Sequence, residues 1–219
     1  MIEALLPDHV MAVEAFTDIT GEPPFPGEED LVANAVEVRR REFVTARRCA
    51  RQALAALGHP AAPIRAGARR EPIWPAAVVG SITHCAGYRA AAVARRPDLA
   101  GLGIDAEPHE RLPAGIEESV TVPSERAHLR QLSDHYPAVR WDRLLFSAKE
   151  SVYKAWYPLT GRWLGFEDAE LTFEPSAGVF RARILVDGTR RDAAPPLTEI
   201  GGRFLIGGGF VLTAASVAA

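Results

Sequence analysis

Twice along this 219-residue chain, apolar residues recur at helical spacing and are followed by segments with the two-residue alternation of strands. The first helical stretch opens on Glu28-Glu29-Asp30, acids suited to a first turn, carries Phe43, Ala46, Ala50, Leu54 and Leu57, and is stopped by Gly58 and Pro60. The second is predicted over residues 141–157, with a stripe of Leu144, Leu145, Ala148, Val152, Ala155 and Trp156, and is ended by Pro158. Such an order constrains the chain to a mixed α/β class, α+β in detail, in which each long helix covers strands of its own half. At ~100–200 residues per domain, the length admits one large domain or two lobes.

Between the helices, Gly21-Glu22-Pro23-Pro24-Phe25-Pro26-Gly27 reads as a loop, and residues 60–76, rich in Pro and Arg, as an extended basic connection. Residues 77–82 and 88–94 read as two strands around a polar turn at 83–87. Residues 101–108 alternate so that Leu102, Ile104 and Ala106 face one side and Gly103, Asp105 and Glu107 the other. Pro123-Ser124-Glu125 has the character of a helix start. Residues 169–173, 179–186 and 203–214 read as antiparallel strands, with Asp187-Gly188 as a turn. No helical pattern follows Gly207-Gly208-Gly209, so it is not a dinucleotide fingerprint.

Charge is segregated along the chain, although the formal net charge is only -3, which argues against a general nucleic-acid binder. Residues 1–38 hold nine acids and no Lys or Arg, whereas residues 39–96 hold twelve Arg against Glu42 and Glu71. Between 101 and 125 the sign reverses, with Asp105, Glu107, Glu110, Glu117, Glu118 and Glu125 against Arg111. A cationic wall beside an acidic turn suits a polyphosphate that takes Arg on its outer phosphates and a carboxylate-held divalent cation on its reacting phosphate; solvated surface charge is the simpler alternative. The acidic opening residues do not resemble a secretory leader, and no apolar run is long enough for a membrane span, so a cytoplasmic protein without membrane attachment is expected. Cys49 and Cys85 are too few for a disulfide scaffold or a four-cysteine zinc site.

Asp105 and Glu107 on one strand face, joined by Glu150 from the second helix, would offer oxygen ligands of the kind a hard cation such as Mg²⁺ takes. Asp-x-Glu at a strand end is common without a metal, and Glu150 and Lys154, at i and i+4 opposite Ala148, could equally be an exposed ion pair. His84 is open to three readings: general base, phosphate ligand or satisfied core histidine. Ser81 and Cys85 lack the elbow and the third partner that a covalent nucleophile needs. Trp74, Trp141, Trp156 and Trp163 read as core or interface anchors. On the first helix Arg40, Arg47 and Arg51 lie within about 40° of one another, off the Phe43/Ala50 stripe.

Two of these patterns, Gly103-Ile104-Asp105-Ala106-Glu107 and Phe146-Ser147-Ala148-Lys149-Glu150-Ser151-Val152-Tyr153-Lys154, occur together in the order and separation of the signatures G-[IV]-D-x-E and [WF]-x-x-K-E-[SA]-x-x-K. In these the chain resembles the 4′-phosphopantetheinyl transferases of the Sfp/EntD type. The likeness extends through Phe43–Arg51, Arg70–Pro75, Gly80–Gly87 and Arg162–Asp168, covering roughly residues 35–215, and its variants look most like the actinobacterial members that serve polyketide, mycolate, nonribosomal peptide and siderophore pathways.

The resemblance implies two pseudo-symmetric lobes in one chain, residues 1–100 and 101–219, with coenzyme A in the cleft between them. It implies that Arg39, Arg47, Arg69 and His84, with Thr83 beside them, meet the coenzyme A 3′-phosphate and its neighbour; the helical face favours Arg40 and the family pattern Arg39. Family members often carry Gly-Lys-Pro where this chain has Arg70-Glu71-Pro72, so backbone contacts to adenine are expected there. It implies Asp105, Glu107 and Glu150 as Mg²⁺ ligands, Lys154 on the pyrophosphate, and Glu150 as general base for the carrier serine, directly or through a water. The expected partners are apo acyl and peptidyl carrier proteins, met by a monomer, with residues 111–124 and their apolar side chains Leu112, Ile116, Val120 and Val122 as the expected docking edge.

Overall fold

The computed structural model describes residues 1–219. A short 3-10 turn, Ile2–Leu5, leads into β1 (Met11–Ala15), and a second 3-10 turn, Glu29–Val32, precedes α1 (Glu37–Ala56). Next come β2 (Val78–Cys85), β3 (Tyr88–Arg95) and β4 (Leu99–Pro108). The remaining elements are α2 (Ile116–Val120), α3 (Pro123–His135), α4 (Trp141–Thr160), β5 (Ala169–Glu174), β6 (Val179–Ile184), β7 (Glu199–Gly207) and β8 (Phe210–Ala218). The fold is α+β, with two antiparallel sheets ordered β1-β3-β2 and β4-β8-β7-β6-β5. Helix α1 packs on the first sheet and α4 on the second, as the repeated helix-then-strand pattern predicts.

Several boundaries differ from the sequence reading. Glu28, Glu29 and Asp30 do not open the first helix, because their carboxylates are spent elsewhere: Glu28 accepts from Arg51 and the Ile64 amide, and Asp30 pairs with Arg65. These contacts tie the basic 60–76 connection to α1. The turn at 83–87 shrinks to Ala86-Gly87, and Thr83, His84 and Cys85 continue β2 in register with Ala90, Arg89 and Tyr88. Residues 203–214 form not one strand but a hairpin turning at Gly208-Gly209. Asp187-Gly188 opens a longer connection rather than a tight hairpin turn, with β6 and β7 paired across it. Pro158 lies inside α4, in its last turn, where its missing amide leaves the Lys154 carbonyl without the usual helical donor; the helix nevertheless runs on to Thr160, and Gly161, left-handed at φ 67°, is the terminator.

The division after residue 100 falls inside β4, at its register shift between Leu99 and Gly101. The two sheets also share apolar packing: Val79, Tyr88, Ala90 and Ala92 from the first cluster with Leu102, Ile104, Ala106, Leu212 and Ala214 from the second. A larger core under α4 contains Leu144, Leu145, Ala148, Val152, Trp156, Leu171 and Phe180. No helix is long and apolar enough to cross a membrane.

Candidate active site

The edge of β4 facing β2 presents backbone amides to a strand of the other sheet. Buried amides need partners, and two hydroxyls on one face of β2 supply them: the Ile104 amide donates to Ser81 Oγ at 3.0 Å and the Ala106 amide to Thr83 Oγ1 at 3.1 Å. Thr83 Oγ1 in turn donates to Asp105 Oδ1 at 3.3 Å. Thus Ser81 is buried and engaged as an acceptor, and burial, with Glu107 and Asp105 nearby, pushes the Cys85 thiol up to about 12. Neither is a nucleophile.

On the other side of β4 lies α4, drawn close at Gly103, where a side chain would meet the Ser151 carbonyl at 1.9 Å. This approach brings Lys154 onto the strand: its Nζ donates to Asp105 Oδ1 at 2.7 Å and to the Ile104 carbonyl at 3.0 Å. The expected alternative, an exposed pair of Lys154 with Glu150, is not what forms. Glu150 is half-buried, and burial raises its carboxyl above the usual range, with nearby Asp105 raising it further against Lys154. Glu107 is likewise raised, by burial and then by Asp105, although Arg143 Nη1 donates to its Oε2 at 2.9 Å. Arg143 also donates to the carbonyls of Glu110 and Arg111, fastening the turn after β4 to α4.

The three carboxylates do not form a closed metal cage in this arrangement, since Lys154 and Arg143 hold the first two. They do fit a hard divalent cation in chemistry. Their donors are all oxygens, Asp105 Oδ2 is buried without any partner, and Glu107 and Glu150 are both raised, by burial first and with the Asp105 charge adding to each.

A cleft of about 320 Å³ opens beside this cluster, bounded by Arg47, Arg69, Ser81 and His84 on one wall and by Glu150, Tyr153 and Lys154 on the other. Arg47 is buried; its Nε donates to the Ile64 carbonyl at 3.1 Å, its guanidinium lies 3.6 Å from the Phe43 ring centre, and burial pushes it down to about 10. Arg69 is exposed on the loop and its guanidinium stands 5.9 Å from the Trp163 ring centre. The Glu71 carboxylate folds back onto the Arg69 amide at 2.8 Å, shaping that loop. His84 Nδ1 is 3.4 Å from Glu42 Oε2, which also accepts from Arg39 Nη1 at 3.0 Å; Arg39, not Arg40, therefore shares a partner with His84. Burial lowers His84 below its ordinary value, and Arg39, Lys154 and Arg89 add to this against Glu42.

A second pocket of about 300 Å³ adjoins the first at Glu150 and Tyr153, and is otherwise lined mainly by Trp163, Leu164, Phe166 and the stem of Lys149. Trp163 is 62% exposed there, so of the core and interface roles expected for the tryptophans it does not take a core one, whereas Trp141 and Trp156 are core. Sequence reasoning missed Glu42, Arg143 and this pocket. Glu42 stands one turn after Arg39 in an arginine-rich helix, the one signal that was present. Of the expected docking edge, Val120 is buried in the core, Leu112 packs against that core and Val122 is half-buried; Ile116 alone is exposed.

Residues 27–94 match the family described as 4′-phosphopantetheinyl transferase N-terminal domain, and residues 101–198 match the 4′-phosphopantetheinyl transferase superfamily. The chain is 49% identical to 4′-phosphopantetheinyl transferase Npt of Nocardia iowensis, with all of both chains covered. It is 48% identical to 4′-phosphopantetheinyl transferase PptT of Mycobacterium tuberculosis, over 98% of this chain and 96% of the other. With 4′-phosphopantetheinyl transferase Svp of Streptomyces mobaraensis the identity is 53%, over 100% and 90% respectively. A more distant match, 33% identical over 65% of this chain, is enterobactin synthase component D of Salmonella typhi. With both of its motifs meeting across β4 and α4, the chain belongs to the 4′-phosphopantetheinyl transferase superfamily and is a transferase.

Proposed function

We propose that the enzyme takes the 4′-phosphopantetheine arm of coenzyme A and attaches it to a serine of apo acyl or peptidyl carrier proteins, releasing 3′,5′-ADP in a Mg²⁺-dependent reaction. The observation that carries this reading is the meeting of Lys154 with Asp105, from two separate motifs, at a cleft whose opposite wall is cationic.

In this reading Arg39, Arg69 and His84, with Arg47 behind them, receive the 3′-phosphate and its neighbour, and Thr83 holds Asp105 from the β2 side. The apolar pocket beyond Glu150 and Tyr153 suits the uncharged arm. Asp105, Glu107 and Glu150 would hold the cation, with Asp105 Oδ2 the free buried donor. When bound, a hard divalent cation neutralises charge that grows on the phosphoryl oxygens. Glu150, its carboxyl raised by burial, takes the proton of the serine hydroxyl as the serine oxygen bonds to the phosphorus that bears the arm. The bond from that phosphorus to the bridging oxygen breaks, and Lys154 stabilises the oxyanion left on 3′,5′-ADP.

The two sheet-and-helix units are read as the two lobes, with the cleft between α4 and β2 as the substrate seat and a monomer sufficient to complete it. The test is mass spectrometry of an apo acyl carrier protein incubated with enzyme, coenzyme A and Mg²⁺. A gain of one phosphopantetheine unit that is lost with EDTA supports the reading. Coenzyme A binding without any gain on several acyl and peptidyl carriers overturns it.

A further inference from the structure

Glu42 is an acid set among arginines, and it is 6% exposed. Its Oε2 accepts from Arg39 Nη1 at 3.0 Å and lies 3.4 Å from His84 Nδ1; its Oε1 lies 3.6 Å from Arg89 Nη2. Arg89 is itself buried, donating to the Cys85 carbonyl at 3.0 Å and to Asp18 Oδ2 at 2.8 Å. The β2–β3 register sets His84 opposite Arg89. Asp18, Arg89 and Glu42 thus form a fixed interior chain of charges, and Arg39 and His84 hang from its outer end.

A buried carboxylate must be paired, and Arg89 already supplies a buried cation. The contact with Arg39, whose side chain is 64% exposed, adds little stability in that position. Its effect is orientation: a long side chain and a rimside imidazole are both held against one rigid acceptor. With Nδ1 turned to Glu42, the nitrogen that His84 leaves for a ligand in the cleft it lines is Nε2, which donates to a phosphate once the ring carries both protons, the form that the Glu42 carboxylate beside it favours.

We propose that Glu42 is a positioning residue for coenzyme A recognition, acting through Arg39 and His84 without touching substrate. This rests on the reading, given above, that those two side chains meet the 3′-phosphate. The same geometry explains why an acid is tolerated in the cationic wall: its charge is offset by Arg89 on the inner side and Arg39 on the outer.

The test compares coenzyme A with dephospho-coenzyme A, which lacks the 3′-phosphate, on wild type and Glu42→Gln. The expected result is a KM for coenzyme A raised about tenfold with kcat kept within about twofold, and a KM for dephospho-coenzyme A left unchanged. If Glu42→Gln weakens both substrates equally while wild type distinguishes them, Glu42 is merely structural and the proposal is overturned. If wild type does not distinguish the two, the assignment of Arg39 and His84 to the phosphate has failed first. Should Glu42→Gln not fold, nitrogen-15 NMR of the wild-type histidines decides: a proton on His84 Nδ1 is expected, and a neutral ring protonated only on Nε2 overturns the proposal.

Discussion

Lys154 Nζ lies 2.7 Å from Asp105 Oδ1 across the contact of α4 with β4, so the two motifs are joined by one ion pair at the mouth of the cleft. The ammonium has a second anchor on the Ile104 carbonyl. It is held where a diphosphate would reach it, with no rotamer search at the moment of reaction. Lys154→Met is expected to lower kcat by about two to three orders of magnitude, the range for losing one charge-stabilising donor. Carrier modification followed by mass spectrometry checks this, and a variant within tenfold of wild type would remove Lys154 from the chemistry.

Lys149, one residue before Glu150, should behave in the opposite way. Its Nζ donates to Glu125 Oε2 at 2.8 Å and to the Phe166 carbonyl at 2.6 Å, and the paired side chains are 2% and 0% exposed. Glu125 also accepts from the Val122 and Leu171 amides, so it ties α3 to β5. Lys149→Met leaves that carboxylate buried and uncompensated, at a cost of about 3–5 kcal/mol. Urea unfolding should show the loss as a lowered midpoint, and a midpoint equal to wild type would remove the Lys149–Glu125 pair from the support of the fold.

Periodicity was enough to place both long helices and strand β4, because each carries an uninterrupted stripe on one face. It failed where side chains override local preference. Glu28 and Asp30 look like a helix start until their partners Arg51, Ile64 and Arg65 are seen, and these lie more than twenty residues away. Residues 203–214 look like one strand because nothing local distinguishes the Gly208-Gly209 turn from a permissive strand glycine. In the site, Asp105, Glu107, Glu150 and Lys154 were legible from spacing and resemblance. Glu42 and Arg143 were not, since each is defined by what it orients across space.

Acidification should expose the cost of protonating His84 at the partly desolvated rim of the cleft. Burial holds its folded value below the ordinary ~6.5, with Arg39, Lys154 and Arg89 acting the same way. A histidine lowered on folding contributes stability that is full above the unfolded value and is lost as pH falls through the folded one. Melting temperature of wild type should therefore drop relative to His84→Gln below about pH 6.5, and the two curves should run parallel above it. Parallel curves throughout would show that His84 protonates as freely in the folded protein as in the unfolded chain. At neutral pH the same variant is expected to raise KM for coenzyme A with kcat nearly kept.

Gly103, the first residue of the strand motif, should be among the least replaceable positions that touch no substrate. A Cβ there would stand 1.9 Å from the Ser151 carbonyl oxygen and 2.8 Å from the Ala155 amide nitrogen, both backbone atoms of α4 that cannot swing aside. Strand and helix must separate, and the helix that moves is the one carrying Glu150 and Lys154 while the strand carries Asp105 and Glu107. Gly103→Ala is thus expected to destabilise the fold by about 3 kcal/mol, as overpacking against a rigid neighbour does. It should also lower kcat more than Gly201→Ala, a strand glycine with open space around its Cα position. Equal activity of the two variants would mean that the spacing of β4 and α4 does not control the Lys154–Asp105 contact.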